Sequence, residues 1–170
     1  IRKTVKYLCS CNFAELLLLL IGSIVFKSPI LVAVQLLLIN LLTDCAPAIS
    51  FSMEEAEQSV MKEKGIDGET RLLNVKTFTK IAIQGLFIAV LSLIAYIIGI
   101  FAASSNATVI ATTMAFVTLG ISQLLHCFNS KFEGSIFHKS VFGNRFMNLS
   151  VFTTGFIIVF LVFTPVGFLF

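Results

Sequence analysis

Long apolar stretches constrain most strongly what this chain can fold into. Five stretches approach the roughly 20 residues that a helix needs to cross a bilayer, and they cover residues 8–26, 30–51, 81–103, 108–128 and 148–170. Hydrophobic residues make up 57% of the 170 residues and charged residues only 12%, which is too apolar for a water-soluble domain of this length. The sequence therefore predicts an all-α, polytopic transmembrane helical bundle with five spans.

The basic residues indicate how these spans are oriented. If the N-terminus is cytoplasmic, all of the 12 Lys and Arg residues except Lys27 lie on the inner side, as the excess of basic residues in cytoplasmic loops requires. We expect a multi-pass protein of the cell membrane, and the short loops favour a bacterial plasma membrane. The net charge of +3 does not indicate a nucleic-acid partner, because no aromatic platform accompanies the basic residues.

The connections between the predicted spans are short on the outer side and longer on the inner side. A tight turn at residues 27–29 predicts that the first two spans form an antiparallel hairpin. The first inner connection opens with the capping-box spacing SMEE at residues 52–55, which predicts a short cytoplasmic helix that ends at Gly65. This helix either lies at the membrane interface or forms a docking surface for a soluble domain. The membrane lipid is therefore an expected partner of the spans and of this helix in its interfacial position.

Four cysteines fall within or at the ends of predicted spans: Cys9, Cys11, Cys45 and Cys127. We interpret them as reduced thiols, because disulfide frameworks are typical of secreted domains. A Cu⁺ or Zn²⁺ site built from these thiols and His126 is disfavoured. Cys9 and Cys11 are two residues apart, so they point to different sides of a helix.

Two of the nine acidic residues stand inside apolar stretches, Glu15 in the first and Asp44 in the second. A charged side chain at the bilayer centre costs about 2.5 to 3.5 kcal/mol on insertion scales and usually marks a function. Each residue also has a simple structural interpretation. Glu15 is then protonated and hydrogen-bonded, and Asp44 then caps a helix end near the interface.

Amide and hydroxyl side chains accompany both carboxyl groups at helical spacing. Asn12 lies three residues before Glu15, and Asn40 and Thr43 lie four residues and one residue before Asp44. Residues three and four apart share one face of a helix. All these ligands carry oxygen, and Ca²⁺ takes about six to eight oxygen ligands. The spacing therefore predicts a hard-cation site between the first two spans, with further ligands from elsewhere.

Two more residues bear on this predicted site. Pro47 follows it in the second span, and a proline allows a spanning helix to unwind and to expose carbonyl groups. Gln123 lies inside the fourth predicted span, where it either completes the cation site or hydrogen-bonds across helices. A different class of function also remains open. The chain is then a non-enzymatic channel or scaffold module whose polar residues serve helix association.

The first two predicted spans resemble the fifth and sixth transmembrane helices of type II P-type cation-transporting ATPases, and most closely those of calcium pumps. The resemblance is carried by IRKTVKY at residues 1–7, NFAE at 12–15 and QLLLINLLTD at 35–44. Weaker motifs follow at FNS, residues 128–130, and at NR, residues 144–145. The resemblance extends over the whole chain.

The resemblance implies a cation site made of the fifth-helix residues Asn12 and Glu15, the sixth-helix residues Asn40, Thr43 and Asp44, and the eighth-helix residue Gln123. Asn40 favours calcium over sodium and potassium, because sodium/potassium pumps carry an aspartate there. Gln123 stands where calcium pumps of the endoplasmic reticulum carry a glutamate, which departs from the pattern of a complete second calcium site. A further departure is Cys45-Ala46-Pro47, where many relatives have Gly-Leu-Pro.

The same resemblance implies a function for the chain. Residues 1–170 are expected to be helices five to nine of the C-terminal transmembrane domain of a P-type calcium pump, a translocase that uses alternating access. Ca²⁺ is then the transported ion, whereas Mg²⁺ and ATP act in cytoplasmic domains outside this chain, which has no catalytic residue of its own. The partners are the remaining helices and domains of the same pump. Protons are expected to replace the released cation between the carboxyl groups.

Overall fold

The computed structural model describes residues 2–52, 75–102, 106–131 and 145–164. These residues contain six α-helices and two π-helical turns, and none of them belongs to a strand. The predicted all-α architecture is therefore confirmed. The predicted cytoplasmic helix at residues 53–65 and the last residues of the fifth predicted span, 165–170, lie outside the described residues.

The helices form five stretches that are long and apolar enough to cross a membrane. The first span consists of α1, Arg2–Ile21, and a π turn, Gly22–Phe26. The second consists of α2, Ala33–Ile39, a π turn, Asn40–Asp44, and α3, Cys45–Ser52. The remaining three spans are the unbroken helices α4, Val75–Ala102, α5, Ala107–Lys131, and α6, Arg145–Phe163.

The first two spans form the predicted antiparallel hairpin. Lys27 ends the first π turn in the left-handed conformation, with a φ of 52°, and its amide donates to the carbonyl of Gly22. The chain then reverses, and the Gln35 side chain accepts a hydrogen bond from the amide of Val32 at 3.0 Å, which caps the start of α2. At the other end of the hairpin, the rings of Tyr7 and Phe51 lie 5.8 Å apart.

The hairpin packs on α4 and α5 through one face of α1. Tyr7, Cys11, Ala14 and Leu18 are fully buried, and their spacings of three and four residues place them on one side of the helix. Leu16 lies on the opposite side and is exposed, as expected for a surface in contact with lipid. This division of α1 turns Glu15, which is also buried, toward the bundle interior.

Glycines allow the helices to approach closely. A Cβ atom on Gly99 of α4 would lie 2.5 Å from the Cα of Ala111 in α5, and one on Gly85 would lie 2.7 Å from the carbonyl oxygen of Ser10 in α1. Small residues at helix contacts are typical of membrane bundles, because close backbone approach maximises van der Waals contact where lipid supplies no hydrophobic driving force. These contacts hold α4 against both neighbours.

The pair Gly99→Ala and Gly155→Ala tests this close approach. A methyl group on Gly155 would meet only side-chain atoms, the nearest at 3.6 Å. Alanine is about 1 kcal/mol better than glycine inside a helix, so Gly155→Ala should be neutral or stabilising. Gly99→Ala should lower the free energy of unfolding by about 1 to 3 kcal/mol, because the helices must separate. Thermal unfolding of the purified protein in detergent measures both variants, and equal melting temperatures would contradict the packing.

Candidate intramembrane cation site

The second span is interrupted where its polar residues lie. Pro47 has no amide proton, so it cannot donate the α-helical hydrogen bond to the carbonyl of Thr43, four residues earlier. The hydroxyl of Tyr7, on α1, donates to this carbonyl at 2.8 Å within the buried part of the bundle. The interruption is therefore stabilised by a side chain from the neighbouring helix, as a buried carbonyl in hydrocarbon requires.

Gln123 of α5 connects the two spans that carry the carboxyl groups. Its Nε2 donates to Oε1 of Glu15 at 2.9 Å, and its Oε1 accepts a hydrogen bond from the hydroxyl of Thr43 at 2.8 Å. All three side chains are buried. The Thr43 hydroxyl also lies 2.9 Å from the carbonyl of Ile39, and its single proton serves one acceptor at a time. Three helices thus meet at one amide group.

Asn12 and Asp44 form a second contact between the first two spans. The Nδ2 of Asn12 donates to Oδ2 of Asp44 at 3.4 Å and to the carbonyl of Leu8, in its own helix, at 2.9 Å. Asn12 is exposed and Asp44 is half-buried within the described bundle. This edge of the polar cluster therefore opens to the surface of the described residues, whereas Glu15, only 5% exposed, lies at its closed side.

Two oxygens of the cluster have no donor in the part of the chain that the structure describes. Within the described residues, the buried Oδ1 atoms of Asn40 and Asp44 have no hydrogen-bond partner. The Asn40 side chain interacts with the carboxyl group of Glu15. A buried acceptor without a partner costs about 1 to 3 kcal/mol, and these two belong to the residues that begin and end the π turn. A bound cation would satisfy both oxygens.

All six sequence-predicted ligands lie in this one cluster. The side-chain contacts run from Asn12 to Asp44, and from Thr43 through Gln123 and Glu15 to Asn40. Of the two alternatives for Gln123, the hydrogen bond across helices is present. Its amide groups are engaged by Glu15 and Thr43, so it holds two of the other candidate ligands in position.

Sequence reasoning missed Tyr7. Pro47 indicates that a carbonyl in the second span loses its helical donor, but this pattern does not indicate which residue replaces that donor. Tyr7 lies eight residues before Glu15 on the same helix, which places the two side chains about two turns apart. The only available signal was a hydrogen-bonding aromatic residue on the buried face of α1.

The thiols do not form a metal site in the described part of the chain. No three His, Cys, Asp or Glu side chains converge there in a way that could hold a metal ion. None of the four cysteines forms a disulfide within the described residues, and Cys11 and Cys127 are buried whereas Cys45 is exposed. The oxygen cluster is of a different kind, because it contains only two carboxyl groups and its other members are amides and a hydroxyl.

Comparison with known proteins gives consistent matches. Residues 28–170 match the family described as cation transporting ATPase, C-terminus. The chain is 30% identical over 165 residues to a calcium-transporting ATPase of Bacillus subtilis, covering 97% of this chain and 18% of that protein. It is 32% identical over 166 residues to calcium-transporting ATPase 1 of Bacillus cereus, covering 89% of this chain and 19% of that protein.

A eukaryotic relative extends the comparison. Calcium-transporting ATPase 1 of Schizosaccharomyces pombe is 26% identical over 153 residues, which cover 89% of this chain and 17% of that protein. The chain therefore spans less than a fifth of the length of these relatives.

Tyr7→Phe tests whether the Tyr7 hydroxyl supports the interrupted helix. The variant leaves the Thr43 carbonyl without a donor, so the free energy of unfolding should fall by about 1 to 3 kcal/mol. In a Pro47→Ala background, the new amide proton can bond this carbonyl, so the penalty of Tyr7→Phe should shrink. A double-mutant cycle on the melting temperature of the full-length protein measures this coupling.

Tyr96→Phe is the matched control for Tyr7→Phe. The Tyr96 ring packs edge-on against Phe26, with 5.1 Å between centroids, and the substitution keeps this contact. We expect Tyr96→Phe to cost less than Tyr7→Phe. If Tyr7→Phe costs the same with Pro47 and with Ala at that position, the hydrogen bond does not compensate for the proline.

Proposed function

This chain belongs to the C-terminal membrane region of the cation-transporting ATPases, and from that membership we propose that it forms part of the intramembrane cation site of an ATP-driven calcium pump. The observation that carries the proposal is the pair of buried Oδ1 atoms on Asn40 and Asp44 that have no hydrogen-bond partner among the described residues. They stand in a cluster of six oxygen-bearing side chains between three spans. Hydrocarbon offers no donor for them, whereas a cation satisfies both.

The chemistry of the cluster supports calcium as the transported ion. Carboxylate, amide and hydroxyl oxygens are hard ligands, which suit Ca²⁺. Glu15 and Asp44 carry two negative charges when ionised, which balance one divalent cation. Gln123 adds no charge. The relatives named above are calcium-transporting ATPases, which also favours calcium, and ligands still required to complete the coordination would come from the remaining helices of the pump.

The interrupted second span supports a transport cycle of alternating access. Its inner half, α3, contacts α6 through the hydroxyls of Ser50 and Ser150, 2.5 Å apart. α3 also contacts α1, through the rings of Phe51 and Tyr7. The ligand-bearing π turn precedes Pro47 and bonds to Tyr7 of α1 and Gln123 of α5. Because the inner half is also tied to α6, a movement of α6 would shift that half relative to the π turn and change the geometry of the site.

The remaining parts of the cycle lie outside this chain. ATP and Mg²⁺ would act in the cytoplasmic domains of the full-length translocase, and the partners of this chain would be those domains and the other membrane helices. The basic ends of the spans support a cytoplasmic N-terminus. The bacterial relatives favour a bacterial plasma membrane.

Asp44→Asn and Glu15→Gln test the proposed ligands, since each removes one negative charge at nearly constant volume. We expect each variant of the full-length protein to lower the apparent calcium affinity by more than about tenfold, because charge count tunes calcium sites. The measurements are calcium-dependent ATP hydrolysis and calcium uptake into reconstituted vesicles. Ser92→Ala is the control, because the buried Ser92 hydroxyl donates to the carbonyl of Ile88 in its own helix.

Unchanged calcium dependence in both Asp44→Asn and Glu15→Gln would contradict the assignment of Asp44 and Glu15 as calcium ligands. The channel or scaffold alternative would then gain support, because Gln123 already hydrogen-bonds across helices and such bonds serve helix association. Equilibrium calcium binding separates the two functions. A scaffold whose carboxyl groups only join helices binds no calcium at this site and loses melting temperature in the same variants.

Proton counter-transport is a further part of the proposed cycle. After calcium leaves, two negative charges would remain in a site of low dielectric, and this cost favours protons as replacements. We expect vesicles that contain the full-length protein and a pH-sensitive dye to become more alkaline inside as calcium enters. Asp44→Asn vesicles are the control. Calcium uptake that is independent of external pH and causes no alkalinisation would contradict the proposal.

A further inference from the structure

A groove runs between α4 and α5 on the side of the described bundle that faces outward in the membrane plane. It encloses a cavity of about 390 Å³, within the range of roughly 300 to 1,000 Å³ that small ligands occupy. The walls are apolar, with Phe87 and Leu91 on α4 and Leu125 on α5. Phe87 and Leu125 are exposed in the described bundle, so the groove opens sideways into the region that lipid occupies.

The two amide side chains of the groove lie at one end. Gln84 on α4 and Asn129 on α5 line it together with the apolar residues, and its other polar residues are Ser122 and His126 on α5. The two helices are antiparallel, since Gly99 near the end of α4 meets Ala111 near the start of α5. Gln84 lies near the start of α4 and Asn129 near the end of α5, so both lie at the same end of the groove. Phe87, Leu91 and Leu125 follow toward the middle of the membrane.

That polar end is also the basic end of the bundle. Lys80 is exposed and lies four residues before Gln84, on the same face of α4 and one turn nearer the helix start. Lys3 and Lys6 in α1 and Arg145 at the start of α6 lie at the same end. A positive charge and two amide groups therefore stand above an apolar slot that is open to lipid.

We infer that the groove binds one anionic phospholipid from the membrane leaflet at the basic end. Its headgroup lies beside Lys80, Gln84 and Asn129, and one acyl chain lies between Phe87 and Leu125. A zwitterionic lipid lacks the net charge that Lys80 attracts, and the amide groups at the mouth suit headgroup oxygens better than they suit the side chains of an apolar helix. The order of charge, amide and hydrocarbon along the groove matches that of a phospholipid.

This lipid would lie next to the structure that supports the candidate cation site. His126 lines the groove and is buried. Its ring stacks on that of Tyr7, with 5.9 Å between centroids, and Tyr7 donates to the carbonyl of Thr43. The groove is thus separated from the interrupted second span by two stacked rings.

Photocrosslinking of the full-length protein tests the proposed lipid. The protein is reconstituted with phosphatidylglycerol or phosphatidylethanolamine that carries a photoactivatable group in one acyl chain, and labelled residues are located by mass spectrometry. We expect labels on α4 and α5 at Phe87, Leu91 and Leu125, with phosphatidylglycerol preferred. Lys80→Gln should reduce that preference by roughly fivefold, the contribution of one basic residue near an anionic surface.

Leu125→Trp and Leu149→Trp form a matched pair for this experiment. Their side chains are 63% and 66% exposed, on α5 and α6 respectively, so neither substitution disturbs the interior of the bundle. Leu125→Trp fills the groove and should abolish the labelling of α4, whereas Leu149→Trp should leave it unchanged. Melting temperatures check that both variants are folded.

Three results would overturn the inference. Labelling of α6 as strong as that of the groove would indicate only a general lipid annulus. Labelling that Leu125→Trp does not change would place the lipid elsewhere. An unlabelled groove in the wild-type protein would show that another segment of the full-length protein or a second copy covers it. Each result is independent of ATP hydrolysis and calcium transport. A failure of the lipid inference can therefore be distinguished from a failure of the proposed pump function, on which the inference does not depend.

Discussion

Hydrocarbon contains no water to satisfy a polar group, and the rest of this structure depends on that constraint. An unbroken helix satisfies its own backbone, and α4, α5 and α6 meet the constraint in this way. The second span does not, because Pro47 removes the donor for the Thr43 carbonyl. Tyr7 of α1 donates to this carbonyl at 2.8 Å. The interruption is therefore stable because the first two spans pack as a hairpin that places Tyr7 level with Thr43.

The same constraint distinguishes polar groups that hydrogen-bond across helices from polar groups that lack a donor in the described bundle. Gln123 satisfies Glu15 and Thr43 with its two ends, and these bonds position three helices around the cluster. The Oδ1 atoms of Asn40 and Asp44 are left buried without donors in the described bundle. In the proposed cation site these two oxygens would serve as ligands, since a transported cation must find oxygens that no permanent donor occupies.

Much of the fold follows from the length and composition of the apolar stretches. Five spans are predicted, and the described residues contain five helical stretches long and apolar enough to cross a membrane, although the helix of the third span begins at Val75 rather than near residue 81. Lys80 masks this early start, because a lysine inside the helix end lowers the local hydropathy while its long side chain reaches the interface. The residues of the candidate site were predictable because helical spacing of three and four residues places side chains on a common face.

By itself, the sequence determined the number of spans and the interruption at Pro47. It also determined that Asn12 shares a helix face with Glu15, and Asn40 with Asp44. All of these follow from the local order of residues along one helix. Only the tertiary structure decided that Tyr7 compensates for the proline and that Gln123 joins Glu15 to Thr43, across separations of 108 and 80 residues. Such bonds depend on the rotation and depth of one helix relative to another. The close approach of helices at glycines such as Gly99 sets this rotation and depth. The hydrophobic periodicity of a single helix does not encode that approach.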